Sequence, residues 1–286
     1  MDKIYLKARA KINLTLNVLD KREDNYHNIE SVFQKISLYD ELYIEKNNEN
    51  KLILKSNWKD LENDNNIISK TYNKLKNLYP TISGVTVTLI KHIPMQAGLG
   101  GGSTDCASFI KGLNKLFSLN LTESDLINIG KTLGADVVPC MYNLALAEGI
   151  GDIITPLSTK INFNALIIKP HFSCNTQEMY KKYDEHINSI KRTRVTSKVL
   201  DILKNNKPIT LFHNLLYNAF EVVLKDDYEI NMIKKEVLRL QGICPLLCGS
   251  GSCMFAIFPE EKDLEKAYTY FTKTFNYEVF KVRTMN

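Results

Sequence analysis

Four glycines fall within five positions, Gly98, Gly100, Gly101 and Gly102, inside the run Pro94-Met95-Gln96-Ala97-Gly98-Leu99-Gly100-Gly101-Gly102-Ser103-Thr104. Residues without side chains leave backbone N–H groups unhindered, and a helix starting there adds its positive end, so the run can wrap a polyphosphate. A tight strand-to-helix turn is the plain alternative, but turns seldom need so many glycines so close together. The run has no Gly-Lys-Ser/Thr and lacks the third glycine of G-x-G-x-x-G, so it is neither a Walker loop nor a dinucleotide fingerprint. A second glycine loop, Leu247-Cys248-Gly249-Ser250-Gly251-Ser252-Cys253, stands ahead of a β-type run and reads equally well as a bulge or hairpin. Lys11 and Asn13 share the polar side of an alternating segment, where both can aim into a cleft, although a lysine on a strand is ordinarily just solvated.

The elements that must position these residues follow from periodicity. Ile12, Leu14, Leu16 and Val18 alternate with Lys11, Asn13, Thr15 and Asn17, the pattern of a half-buried strand. A polar turn over residues 20–25 leads to Tyr26-His27 and a second β-type stretch over 29–44, followed by an Asn-rich loop with one short strand at 51–54. Asp64-Asn65-Asn66 can cap a helix carrying Ile67, Ile68, Tyr72 and Leu75. Val85, Val87 and Leu89 form a strand that enters the glycine run, and Cys106, Phe109, Ile110, Leu113, Leu116 and Phe117 recur at helical spacing after it. Thr122 and Asp125 make a capping box, with Gly134 a plausible stop, which puts Asp136 just beyond a helix end. Residues 148–152 read as a hairpin and 156–164 as a link to a second unit. That unit should contain a strand at 165–168, helices near 197–204, 211–224 and 229–241, a strand at 253–258, a helix at 260–275 and a closing strand at 277–282. The expected domains are therefore 1–157 and 158–286.

Composition narrows the class. The 286 residues are 44% hydrophobic and 24% charged, ordinary for a globular chain with a real core, and too long for one small module. The net charge of +5 favours anionic ligands without demanding nucleic acid. No apolar run approaches the ~18 residues of a membrane span, and the start shows no signal-peptide core, so a cytoplasmic protein with no membrane partner is expected. The six cysteines are scattered without C-x-x-C or zinc spacing and read as reduced, mostly buried thiols.

Residues 94–104 resemble the phosphate loop of the galactokinase, homoserine kinase, mevalonate kinase and phosphomevalonate kinase (GHMP) superfamily, and Gly249-Ser250-Gly251-Ser252 resembles its C-terminal motif. Ala10-Lys11-Ile12-Asn13-Leu14, Asn25-Tyr26-His27 and Leu133-Gly134-Ala135-Asp136-Val137-Val138-Pro139 are similar to one branch of it, the branch acting on 4-diphosphocytidyl-2-C-methyl-D-erythritol in the non-mevalonate isoprenoid route. The likeness spans about residues 7–258. Asn25 stands where that branch usually has Gly, and Asn best tolerates the same left-handed turn. The resemblance implies an α+β two-domain GHMP kinase fold, an N-terminal ATP-binding domain like the second domain of ribosomal protein S5 and a ferredoxin-like C-terminal domain, with the active site between them.

It implies ATP-dependent phosphorylation of the 2-hydroxyl of that alcohol, with Asp136 as base and Lys11 as its charged companion. The phosphates would lie on Pro94 to Thr104 and the adenine near Asn65 and Lys91. Asn13, Tyr26, His27, Thr176 and Tyr180 would hold the substrate, the aromatic rings gripping cytosine. Mg²⁺ would be carried with ATP rather than in an acidic cage. An RNA-associated reading, prompted by the basic run Lys191-Arg192-Thr193-Arg194, lacks interleaved aromatics, so no nucleic-acid partner is expected. A homoserine or mevalonate-type kinase is the second enzymatic reading, and Tyr26-His27 argues against it. A monomer or weak homodimer is expected.

Overall fold

The computed structural model describes residues 1–186 and 195–286; the basic run at 191–194 lies outside the described residues. Contacts divide the chain into two compact units, one of residues 1–10, 38–93 and 100–142, the other of residues 11–37, 94–99 and 143–286. The expected link at 156–164 falls inside the second. Two long strands, β1 (Lys3–Lys21) and β2 (His27–Asn47), begin in one unit and end in the other.

In the first unit β2 pairs antiparallel with β4 (Gly84–Ile90), and β3 (Leu52–Ser56) pairs parallel with β4. Parallel neighbours require a crossover, and α1 (Ile67–Leu78) supplies it. Asn66 caps α1, its side chain accepting from the Ile68 N–H, and Ile68, Tyr72 and Leu75 turn inward at the expected spacing. The helix after the glycine run, α2 (Gly101–Leu116), starts five residues ahead of the apolar periodicity at Cys106, because Gly100 in a left-handed conformation turns the chain directly into it. Next comes α3 (Glu123–Lys131), which carries the reciprocal Thr122–Asp125 capping box. It ends at Lys131 with Thr132 as its C-cap, ahead of the expected stop at Gly134. Leu42, Ile44, Val85, Val87, Phe109 and Leu113 form the heart of this unit's core.

In the second unit β2 pairs antiparallel with β5 (Leu144–Glu148), which closes a hairpin with β6 (Ile153–Pro156), and β1 pairs parallel with β8 (Tyr217–Asn218). A separate antiparallel sheet has the order β11 (Glu278–Arg283), β7 (Asn164–Lys169), β10 (Met254–Phe258), β9 (Ile243–Leu247). Helices α6 (Tyr228–Arg239) and α7 (Glu261–Phe275) pack on it, giving the ferredoxin-like strand order. Two further helices, α4 (Thr176–His186) and α5 (Thr196–Lys204), lie between β7 and β8 in sequence.

The structure corrects two expectations here. Residues 211–224 are not a helix but two 3₁₀ turns, Ile209–Phe212 and Ala219–Val222, around the short β8. Asn218 breaks the helical pattern: its amide donates to the Leu247 and Gly249 carbonyls while its oxygen accepts from Phe220 N–H. The polar face of β1 is also buried rather than solvated, with Lys11, Asn13, Thr15 and Asn17 all below 8% exposure. A hydrogen-bonded chain makes this affordable: Asn13 donates to Ser31 Oγ, Ser31 to the Thr15 carbonyl, and Thr196 to Thr15 Oγ1. None of the six cysteines is in a disulfide; five are buried and Cys244 partly so. Among the described residues no helix is long and apolar enough to cross a membrane.

Candidate active site

In the second unit the two glycine loops meet backbone to backbone. Gly98 has φ +74°, and a Cβ there would lie 1.7 Å from the Cys248 carbonyl oxygen, so no other residue fits. The Cys253 N–H donates to the Ala97 carbonyl at 3.2 Å, and the Lys11 N–H donates to the Leu99 carbonyl at 3.0 Å. The Lys11 ammonium sits under the second loop, 3.2 Å from where a Gly249 Cβ would stand, and donates to Asn13 Oδ1 at 2.9 Å. Three separate sequence signals thus form one assembly: the middle of β1, the front of the phosphate-type loop and Gly249-Ser250-Gly251-Ser252.

The same unit gathers the aromatic set. His27 is buried, its ring stacked on Tyr180 at 5.0 Å between centroids and 19° between planes. Its Nε2 lies 2.6 Å from Asp184 Oδ1, and Lys21 holds the other oxygen of Asp184 at 2.7 Å. Burial pushes the Asp184 carboxyl upward, but Lys21 and His27 more than reverse this and hold it below the usual carboxylate range. An ionised acceptor at Nε2 keeps the proton on that nitrogen and leaves Nδ1 for another partner. Asn25, with φ +66°, makes the left-handed turn ahead of this pair. Tyr26 is not in the stack; it points outward at 58% exposure. Thr176, the first residue of α4, is hydrogen-bonded through its hydroxyl to Ser250 Oγ at 2.8 Å, which links the helix of Tyr180 to the second glycine loop.

In the first unit Gly101 and Gly102 open α2, and a Cβ on Gly102 would meet nothing within 4 Å. That free space, beside amides at a helix start, suits the close approach of phosphate oxygens. Thr104 uses its hydroxyl internally, donating to the Arg9 carbonyl at 2.7 Å. Asp136 is exposed in the turn between α3 and a 3₁₀ turn at Pro139–Met141. Asn65 is exposed one residue ahead of the α1 cap, its N–H donating to Asn63 Oδ1. Lys91, by contrast, is buried with its polar groups engaged. Its N–H and carbonyl pair with the Asn57 amide at 2.8 and 3.1 Å, and its ammonium binds Asp40 and Asp105. Among the described residues there is no cluster of three His, Cys, Asp or Glu side chains able to hold a metal ion.

Sequence reasoning passed over Asp184, Asp40 and Asp105. Asp184 is four residues beyond Tyr180 and so on the same face of α4, a usable signal. Asp40 lies in a β-type stretch with nothing local to mark it. Asp105 directly follows the glycine loop at a position where polar residues pass for ordinary helix surface.

The GHMP kinases N terminal domain model matches residues 66–143. The 4-diphosphocytidyl-2-C-methyl-D-erythritol kinase of Alkaliphilus oremlandii is 36% identical over 100% of this chain and 98% of its own length, and that of Acetivibrio thermocellus is 37% identical over the whole of both. A crystal structure of 4-(cytidine 5'-diphospho)-2C-methyl-D-erythritol kinase superposes with a TM-score of 0.83 at 24% identity, covering 99% of this chain and 100% of the other. A homoserine kinase from Cytophaga hutchinsonii superposes at 0.73 with 16% identity over 100% and 95% of the two chains, so the fold extends well beyond one activity. With full-length relatives above a third identical and both glycine loops brought into one assembly, the chain belongs to the 4-diphosphocytidyl-2-C-methyl-D-erythritol kinase family of the GHMP kinases and is a small-molecule kinase that uses ATP.

Proposed function

We propose that the chain phosphorylates the 2-hydroxyl of 4-diphosphocytidyl-2-C-methyl-D-erythritol at the expense of ATP, a step of the non-mevalonate route to isoprenoid precursors. The stacked His27–Tyr180 pair backed by Asp184 carries the substrate assignment. A buried imidazole with Nε2 spent on a carboxylate presents Nδ1 as an acceptor, which suits the amino group of cytosine and opposes the carbonyl that uracil has there. Nothing in a homoserine or mevalonate substrate calls for such a group.

ATP supplies the phosphoryl group, and Mg²⁺ bound to its phosphates screens their charge. The residues present suit that load: glycine amides and the start of α2 for the phosphates, with Pro94 to Thr104 as the cradle, and no acidic cage needed for the ion. Asp136 is assigned as the base that receives the hydroxyl proton, and Lys11, oriented by Asn13, as the cation that offsets charge at the reacting oxygens. In a loose transition state the proton leaves late, so position weighs more than basicity. Thr176, Asn13, Tyr26 and Tyr180 complete the substrate set, with the exposed Tyr26 assigned to the base, and Asn65 is assigned to the adenine side. Residues 1–157 and 158–286 are taken as the ATP-binding and C-terminal domains. A cytoplasmic monomer or weak homodimer without nucleic-acid or membrane partners fits this role.

Phosphorus NMR of the purified chain with Mg-ATP and the cytidyl alcohol tests the reading. A new phosphomonoester resonance is expected. Its absence, with a product appearing instead from mevalonate or homoserine, would transfer the assignment to the neighbouring kinase classes.

A further inference from the structure

Three ionisable side chains meet inside the first unit: Lys91 at the exit of β4, Asp40 on β2 and Asp105 on α2, with side-chain exposures of 6%, 0% and 3%. Lys91 Nζ donates to Asp105 Oδ2 at 2.7 Å and to Asp40 Oδ2. The other oxygen of Asp40 accepts from the backbone N–H groups of His92 at 2.6 Å and Ile93 at 2.8 Å, the two residues that lead into Pro94. Where Gly101 opens α2, a Cβ would stand 3.3 Å from the ammonium and 3.2 Å from Ile93 Cγ2, so the helix start is seated directly on both.

As a stabilising device this cluster is poor. Burying an ion pair commonly fails to recover its desolvation, one ammonium here faces two carboxyl groups, and Asp105 Oδ1 is buried with no hydrogen-bond partner among the described residues. What the arrangement does fix is geometry: it ties the strand end before the glycine run to the first turns of the helix after it. We infer that Lys91, Asp40 and Asp105 are positioning residues for phosphoryl transfer, holding the two ends of the glycine loop in one shape for the nucleotide's phosphates, and that the Lys91 ammonium does not touch the nucleotide. This deepens the functional reading and rests on the glycine loop being the phosphate cradle. Because the Lys91 ammonium is spent on Asp40 and Asp105, the adenine-side role expected for Lys91 from sequence falls to its backbone carbonyl, which accepts from Asn57 and keeps a second lone pair.

The test is binding to the full chain, with ATP and the cytidyl alcohol followed by calorimetry and adenosine by ligand-observed NMR. Lys91→Met and Asp105→Leu should each raise the Kd for ATP by about tenfold or more, the order expected when a phosphate cradle shifts by a fraction of an ångström. Adenosine and the cytidyl alcohol should change less than about twofold, and Asp105→Asn, which still accepts from the ammonium, should return ATP affinity to within about threefold of wild type. Parallel weakening of ATP and adenosine by Lys91→Met, with Asp105→Leu silent, would establish a direct base contact and overturn the inference. So would loss of all three ligands in step with a fall in Tm. Gly100→Val separates this from the reading beneath it: if it leaves ATP binding intact the cradle itself is wrong, whereas weakening by Gly100→Val with Lys91→Met and Asp105→Leu silent removes only the positioning role. Should Lys91→Met not fold, the contrast between Asp105→Leu and Asp105→Asn decides.

Discussion

A single functional group carries each chemical assignment, so each has its own measurable consequence. Asp136→Asn keeps the shape of the turn after α3 and removes the proposed base; Lys11→Met keeps the buried stem and removes the charge that Asn13 orients. Each should lower kcat by about 10²-fold or more while the chain stays folded, and near-wild-type turnover in either would withdraw that residue from the chemistry. Base selection should divide differently. Stacking is worth about 1–3 kcal/mol per base and tolerates any base, so Tyr180→Ala should raise KM for cytidyl and uridyl alcohols together. On the proposed reading discrimination falls to the His27 imidazole, whose Nε2 is committed to Asp184. His27→Ala should narrow the cytidyl-to-uridyl ratio of kcat/KM, and Asp184→Asn should narrow it too, because a carboxamide can donate to Nε2 and favour the other tautomer. If both variants left the ratio unchanged, the backbone at residues 26 and 27 would be the reader instead.

At the scale of elements, legibility followed locality. The capping box of α3, the Asn66 cap of α1, the left-handed Asn25 and the strands at 164–169 and 254–258 rest on neighbouring residues and were readable. The polar side of β1 misled, because alternation reports side-chain type and not what covers each face; hydrogen bonds from Ser31 and Thr196, far away in sequence, permit that face to be buried. The 211–224 segment misled for the same reason, since Asn218 answers to carbonyls at 247 and 249. The lysine, glycine and aromatic members of the candidate site were legible as types, whereas Asp40 and Asp184 acquire meaning only through the partners that folding brings. The glycines separate into two kinds that sequence cannot distinguish. Gly98 is required by the fold, because a side chain there collides with the Cys248 carbonyl, while Gly102 faces open space. Gly98→Ala should therefore lower Tm by several degrees, roughly the effect of 1–3 kcal/mol of backbone strain. Gly102→Ala should leave Tm almost unchanged and weaken ATP, as seen by thermal melts and calorimetry side by side. Equal Tm losses in the two variants would show that both glycines serve the fold alone.

For the molecule as a whole, the net charge of +5 suits two anionic substrates, and what it leaves unstated is how much charge lies inside. Burial raises the Asp105 carboxyl to about 8, the Lys91 ammonium opposing and Asp40 reinforcing the rise, against an ordinary value of 3.8. Burial lowers the Lys91 ammonium, but Asp105 and Asp40 outweigh that, and it ends above its ordinary 10.5. Both groups are raised in the folded state, so each contributes stability that is complete below its unfolded value and is lost as pH climbs to its folded one. For Lys91 that window lies above pH 10.5 and leaves neutral conditions untouched. For Asp105 it runs from about 4 to about 8, where the folded chain retains a proton that the unfolded chain has released. Across that window the wild type should lose stability relative to Asp105→Asn, with a slope of at most about 1.4 kcal/mol per pH unit, the limit set by one proton. Urea unfolding of both proteins at pH 5, 6.5 and 8 gives the comparison directly, because titrations elsewhere in the chain cancel in the difference. A difference that stays constant from pH 5 to 8 would mean that Asp105 is ionised throughout, and the cluster would then carry a full buried negative charge beneath the first turn of α2, where it would oppose rather than assist the binding of phosphate.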